Sequence, residues 1–407
     1  MTQRGRRSWP TSPLENDDML WEILLRLPPL PSSLPRASAV CRRWRGILTD
    51  PKFHRHFRAH HRSPPFLGVF ECRDFDIVFN PALDPPDRIP PERFDLQRYS
   101  SADYNNLLDC RHGRVLFEDL ERREVIVCDP ITGEKHRVAV PPEFEPSFLP
   151  EPSFLPSAVL CAASDQGHVH GACHYSPFKV VLMSSKDNHL LVCVYSSQTD
   201  TWGNHISTPA PCKIYDASYS GALIGNTLYW LCTGDRILEF DLDGQSLPMI
   251  EGPLVANDLR NASRKIMPAD NGDVGLAILS YPYFQMWQRD LNYHGVMTWV
   301  LQKTIDISII LGLPPLIEGR PEEWKTIEGY TEDAIFICVG GSLYTVQLNS
   351  MQSKRLQESD NFFCYHPFTS FYAPGDCSSS HVSYMVAEMS LFFFLSHDSI
   401  SLVTSVP

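Results

Sequence analysis

The chain has no apolar run long enough to cross a membrane. The longest uninterrupted stretch near its end, Leu391 to Leu395, is far below the ~20 residues that a spanning helix requires. No Cys-x-x-Cys pair occurs among the 12 Cys, which excludes a zinc ribbon. Glycine-rich phosphate loops, a Gly-x-Ser-x-Gly elbow, a His-Glu-x-x-His helix and a dinucleotide fingerprint are likewise missing, and carboxylates and histidines are scattered, so no familiar catalytic constellation is expected. Residues Met1 to Pro10 hold three arginines and no apolar stretch. A secretory signal is therefore not expected, and the thiols should stay reduced in the cytosol or nucleus.

What is present is a chain of 407 residues with 43% apolar, 20% charged and 34 Pro. Length points to two or three units at ~100–200 residues each, and the proline content to many turns. Charge divides unevenly. Residues 1–62 carry twelve Lys or Arg against five acids, a balance of +7 that leaves −20 for the rest of a chain with net charge −13. The basic residues lie among helix-forming apolar ones, which suits a solvated or protein-facing surface better than a nucleic-acid arm.

Between Asp17 and Leu27 the sequence DDMLWEILLRL has neither Gly nor Pro and stops at Pro28-Pro29, which predicts one helix opened by its acidic pair. Met19, Leu20, Ile23, Leu24 and Leu27 form an apolar stripe that Trp21 and Leu25 widen. That arc exceeds what one small core needs, so burial on two sides is expected. A second helix is predicted from the Ser32-Ser33 cap through Leu48, with Leu34, Ala37, Val40, Cys41, Trp44, Ile47 and Leu48 on its core face. A third begins at Asp50-Pro51 and pairs Phe53 with Phe57. Three helices in so few residues are marginal alone, and a partner surface would remedy that.

The run from Leu14 to Phe57, with its acidic start, Glu-Ile-Leu helix, Leu-Pro stop and Val-Cys-Arg-Arg-Trp-Arg second helix, resembles an F-box. The resemblance implies docking onto a Skp-type adaptor and, through it, a cullin scaffold. The residues expected at the adaptor are Leu14, Met19, Leu20, Trp21, Ile23, Leu24, Leu27, Pro28 and Trp44.

Beyond Pro64 no amphipathic helix stands out. Apolar strands recur between turns at Asn80-Pro81, Asp129-Pro130, Ser197-Gln198, Asp243-Gly244, Asn292 and Ser350, at intervals of 46 to 68 residues. A period near ~50 residues with several strands per unit is the mark of kelch-like propeller blades. Each unit is read as an inner hairpin and an outer strand, for example RHGRVLFE, EVIVCD and KHRVAV. The segments GNTLYW, CVYSSQTDTWG and GHVHGACHYSPFKVV are similar to the C-terminal domains of the large plant families of F-box proteins. The fold class expected is α+β, a three-helix module followed by an all-β propeller of about six blades. Its boundaries are placed at 1–12 for a disordered basic terminus, 13–60 for the helices, 64–372 for the propeller and 373–407 for a loose tail. EPSFLP stands twice in tandem from Glu145 to Pro156 and reads as a surface loop that accepted a duplication.

His168, His170, Cys173 and His174 form the densest group of possible metal ligands. They lie between turn residues without the spacing of a structural site, so no metal and no cofactor is expected. Asn261-Ala262-Ser263 is an incidental sequon, and Trp21, Trp44, Trp202, Trp230, Trp287, Trp299 and Trp324 read mostly as core. The expectation is a non-enzymatic substrate receptor of a ubiquitin ligase holding an unidentified target protein, in cytoplasm or nucleus, with neither nucleic acid nor membrane as partner. A kelch-type scaffold and a propeller enzyme are the alternatives.

Overall fold

Asp17 and Asp18 do open a helix. Asn16 caps it, its side-chain oxygen accepting from the amides of Asp18 at 2.9 Å and Met19 at 3.3 Å, and α1 spans Asp17–Leu25. The computed structural model describes residues 14, 16–73, 76–94, 96, 105–144, 155–164, 168–186, 188–210, 212, 214, 220–253, 262–313, 325–358 and 365–372. The EPSFLP repeat as far as residue 154, Trp324, the basic terminus and the tail from Ala373 lie outside them.

The expected second helix is broken. It becomes α2 (Ser33–Ser38) and α3 (Arg42–Leu48), with Cys41 extended between them and its Sγ accepting from the amide of Trp44 at 3.5 Å. The break lets α2 fold back on α3, and packing overrides continuous helix propensity. Val40 leaves the expected core face and is 62% exposed. Asp50 caps α4 (Pro51–His61), accepting from Lys52 at 2.8 Å with Pro51 at the first helical position, as read from the sequence. The module's core is Leu20, Leu24, Leu25, Ala37, Leu48, Phe53 and Phe57.

The remaining described residues form a ring of six antiparallel sheets. The chain enters at β1 (Phe66–Arg73) and β2 (Asp76–Pro81). Blade one is β3 (Asn105–Arg111), β4 (Arg114–Asp119), β5 (Glu124–Cys128) and β6 (Lys135–Ala139). Blade two is β7 (Ser157–Cys161), β8 (Phe178–Lys186) and β9 (His189–Ser196), with β10 (Thr201–Trp202) and β11 (Ile206–Pro209) both on β9. Blade three is β12 (Ala222–Ile224), β13 (Thr227–Cys232), β14 (Arg236–Asp241) and β15 (Met249–Glu251). Blade four is β16 (Ser263–Pro268), β17 (Val274–Ser280), β18 (Tyr283–Leu291) and β19 (Met297–Asp306), followed by the short helix α5 (Ile307–Leu311), which the sequence reading did not anticipate. Blade five is β20 (Lys325–Tyr330), β21 (Ala334–Val339), β22 (Ser342–Gln347) and β23 (Ser353–Glu358). Blade six closes the ring: β24 (Tyr365–Thr369) pairs with β1, and β1 with β2, so sequence-distant segments share one sheet. Splitting the strands into radial blades leaves only short edges where one continuous sheet would present long ones.

Each blade's apolar residues pack against both neighbours. In β4, Val115 and Phe117 join Phe70, Phe79 and Phe368 of the closing blade, whereas Leu116 joins Val180, Leu182 and Tyr195 of blade two. Alternate side chains of one strand thus enter two different cores. Trp202 and Trp299 tie outer strands together at equivalent positions, donating at 2.9 Å to the carbonyls of Ala139 and Glu251 at the ends of the preceding blades.

The sequence pattern marks the second, third and fourth strands and makes the first pair of them the inner hairpin. The structure places another strand inside that pair in every blade: β3, β7, β12, β16, β20 and β24 surround the central channel. Asn80-Pro81 is also not a tip but the end of β2.

Candidate interaction surfaces

The helical module presents the residues expected at an adaptor in three environments. Leu14, Met19 and Ile23 are exposed, at 45%, 50% and 40%, with Met19 and Ile23 one turn apart on α1. Pro28 is exposed too, while Trp21, Leu27 and Trp44 are half-buried against the core. Leu20 and Leu24, expected to meet a partner, are instead fully buried among Phe53, Phe57 and Leu48. The wide apolar arc of α1 is real, but its centre faces inward and its flank outward. Arg43 fixes the helix start against α3, donating to Asp17 at 2.9 Å and 2.5 Å and to the Leu14 carbonyl at 2.6 Å.

Antiparallel strands alternate direction, so connections following the first and third strands of every blade emerge on one face, and those following the second and fourth on the other. Residues 62–65 lead into β1, the second strand of its blade, which hangs the helical module from the first face. Three contacts agree. The amide of Ser32 donates to Asp87 at 2.8 Å, Ser63 donates to Glu332, and Pro64 abuts Gly171. The two parts therefore meet beyond the linker at residues 62–65, because the Ser32 cap of α2 reaches the segment that follows β2.

Below this junction lies a cavity of about 1610 Å3, lined by Asp109, Arg111, Glu328 and His366 of the inner strands and by Pro29 and Arg62 of the module. Asp109, 1% exposed, binds neighbouring blades together: its carboxylate accepts from the amide of Val159 at 2.9 Å and the hydroxyl of Ser220 at 2.6 Å. Ser263 plays the same part between blades four and five, accepting from Ile327 at 2.9 Å. Burial pushes His366 down to about 4, Asp109 opposing and Lys265 with Arg111 adding to the effect, and burial raises Glu328. A neutral imidazole and a carboxyl driven toward its neutral form are how titratable groups answer burial.

The His/Cys group singled out in the sequence is rearranged. His174 turns away to Asp129, its Nδ1 at 2.6 Å from Oδ2. Cys161, from the end of β7, takes its place beside His168, His170 and Cys173 of the loop leading to β8, and the four ligand atoms lie within 4.8 Å of one another. No spacing in the sequence marks Cys161 as a member of the group, because only the fold brings it beside His168.

Comparison with known families agrees with both parts. Residues 17–60 match the F-box-like family model, and residues 106–374, well over half of the chain, match the model described as F-box protein AT5G49610-like, beta-propeller. Together the two matches make up an F-box substrate-receptor architecture. No curated protein matches. Among solved structures, the chain is 13% identical to the extracellular domain of the hybrid two component system BT4673 from B. thetaiotaomicron, with a TM-score of 0.31 over 63% of this chain, and spans only 28% of that one. It is 9% identical to U3-55K, with a TM-score of 0.35 over 65% of this chain and 85% of the other. No helix of the described residues is long and apolar enough to cross a membrane.

Proposed function

The chain belongs to the F-box protein AT5G49610-like β-propeller family, and on that premise we propose that it is the substrate-recognition subunit of a Skp-cullin-F-box type ubiquitin ligase. The helical module binds the Skp-type adaptor, and through it a cullin scaffold, while the propeller holds the target protein in the cytoplasm or nucleus. The observation that carries this reading is on α1. The module fills its own core with Leu20 and Leu24, yet keeps Met19 and Ile23 in solvent one turn apart, with Leu14 exposed just before the helix. An apolar flank left over after the core is complete is a surface for a partner. Leu14, Met19, Ile23 and Pro28 are the contact residues, Trp21, Leu27 and Trp44 brace them, and Leu20 and Leu24 hold the helix from behind.

The target face is the one opposite the helical module. Strands β6 and β19 end there and lead into long connections to the next blade, residues 140–156 and 307–324, and loops carried on a rigid scaffold are where binding residues concentrate. No bond chemistry is asked of this chain. It raises the effective concentration of the target at the transfer site, which turns a bimolecular encounter into one within a complex. The test is purification of the full-length protein from its own cells with mass spectrometry of what accompanies it. A Skp-type adaptor together with a cullin is the expected result; recovery of target-like partners with neither would refute the ligase role and leave a propeller scaffold.

A further inference from the structure

We propose that Cys161, His168, His170 and Cys173 form a zinc site that pins the β7–β8 loop at the junction between the propeller and the helical module. Their donor atoms face one another across a single small volume. His168 Nε2 lies 3.3 Å from the sulfur of Cys161 and 3.3 Å from that of Cys173, and His170 Nδ1 lies 3.7 Å from Cys173 Sγ. Zinc bonds of ~2.3 Å to sulfur and ~2.0 Å to nitrogen make the sulfur–nitrogen edge of a tetrahedron about 3.5 Å long. The observed separations bracket that edge. Two thiolates and two imidazoles in a tetrahedron select zinc among the common ions, since carboxylate-preferring magnesium and calcium would find no oxygen here.

The surroundings hold these ligands in place. His112 accepts the amide proton of Cys161 on its Nδ1 at 3.0 Å, and its ring stacks on His170 at 3.8 Å with the planes 19° apart. One side chain thereby orients two ligands from behind, as outer partners of metal-binding residues commonly do. Without a metal the cluster is a poor hydrogen-bonding arrangement, because thiols are weak donors and weak acceptors. With one, each thiol gives up its proton and the imidazoles bind as neutral ligands. Cys173 is buried, but His168 and His170 line the junction cavity, which supplies an entry path.

The consequence lies in what the loop touches. The Gly171 carbonyl accepts from the amide of Phe371 at 2.9 Å and from Ser370 Oγ at 2.8 Å, just past the ring-closing strand β24. Gly171 has φ +94, and a Cβ there would come within 2.6 Å of Pro64, in the linker to α4. Arg114 reaches the loop from blade one, donating to the carbonyls of Cys173 and, at 2.6 Å, Ser176. Zinc would thus set the position of a loop that contacts both the last strand of the ring and the linker to the helical module.

The experiment uses the full-length protein purified without chelator, with metal content measured by plasma mass spectrometry and zinc then exchanged for Co2+. The expected result is about one zinc per chain, and Co2+ absorption showing thiolate charge transfer with the strong ligand-field bands of a tetrahedral centre. Cys161→Ser and Cys173→Ser should each lose the zinc, the exposed Cys41→Ser should keep it, and His112→Ala should weaken it by ~10–100-fold as an orienting residue. Chelation should also speed proteolytic cutting between residues 162 and 177. Wild-type protein that is folded by circular dichroism but takes up neither zinc nor tetrahedral Co2+ would overturn the proposal, as would zinc retained in the Cys161→Ser, Cys173→Ser double variant. If a cysteine variant fails to fold, the Co2+ spectrum of the wild type decides alone.

Discussion

Replacing Met19 and Ile23 together with Asp should abolish adaptor binding and leave the protein folded. Met19 is 50% and Ile23 40% exposed, so about half of each side chain remains to be covered when a partner docks. Full burial of a Met or Ile side chain is worth ~1.5–3 kcal/mol, which leaves about 1 kcal/mol apiece for the interface. A carboxylate forced into the same apolar contact adds a desolvation cost of ~1–3 kcal/mol or more each. The sum, about 4 kcal/mol or above, weakens binding by roughly a thousandfold. Leu20 and Leu24 behave differently because both are completely buried. Truncating either costs ~2–5 kcal/mol of stability, which a module this small cannot absorb. The assay is titration calorimetry with a purified Skp-type adaptor, alongside melts followed by helical circular dichroism. Full-strength binding by a folded Met19→Asp, Ile23→Asp variant would refute the placement of the contact on this flank. Equal loss of helical signal in the surface and core variants would refute the division between them.

Three further outcomes follow from the propeller. Burial pushes Glu118 up to about 7, and its Oε2 has no partner among the described residues; with a folded pKa above the unfolded one, stability falls as pH rises from ~4.5 to ~7. Glu118→Gln should therefore melt above the wild type at pH ~8 and show no such advantage near pH ~4, whereas an unchanged difference across that range would count against the assignment. A chain ending at residue 364 loses β24 and with it Tyr365 and Phe368, both buried. It should lose its cooperative β-sheet melt, while one ending at 372 keeps it. Asp109→Ala strips a buried amide and a hydroxyl of their acceptor, at ~1–3 kcal/mol for each group left unpaired, and should lower the melting temperature by several degrees; Asp109→Asn, which keeps one acceptor oxygen, should recover part of that loss.

The sequence shows the outer strands of the blades more clearly than the inner ones, and the reason is where each strand sits. EVIVC and TLYWLC each lie between two cores and read as nearly unbroken apolar runs. NNLLDCR, SRKIMP and KTIEGY border the channel, and channel-facing residues such as Asp109, Lys265 and Glu328 interrupt the pattern that marks a strand. Helix caps at Asn16 and Asp50 are local chemistry, and the second was read directly. The break at Cys41 depends on α2 packing against α3, which no local signal carries. At the adaptor surface the stripe on α1 was legible, but which of its sides faces inward depends on Phe53 and Phe57 of a later helix. Cys161 stayed hidden for the same reason, seven residues from His168 in the chain and 3.3 Å away in space.

The opposed faces of the ring divide the chain into parts that can diverge at different rates. Connections beside the helical module are held by their neighbours: Asp87, Gly171 and Glu332 all answer to residues of the module or its linker, so an insertion there would displace the helical end. The connection from Ala139 to Ser157 leaves from the other face, and it is here that the chain carries the tandem copy of EPSFLP. A duplication tolerated on that side is what descent would record if one half of the molecule is free to explore new targets while the other keeps its attachment. Within such a lineage, length variation should accumulate in the connections after each blade's fourth strand and be purged from those after its first.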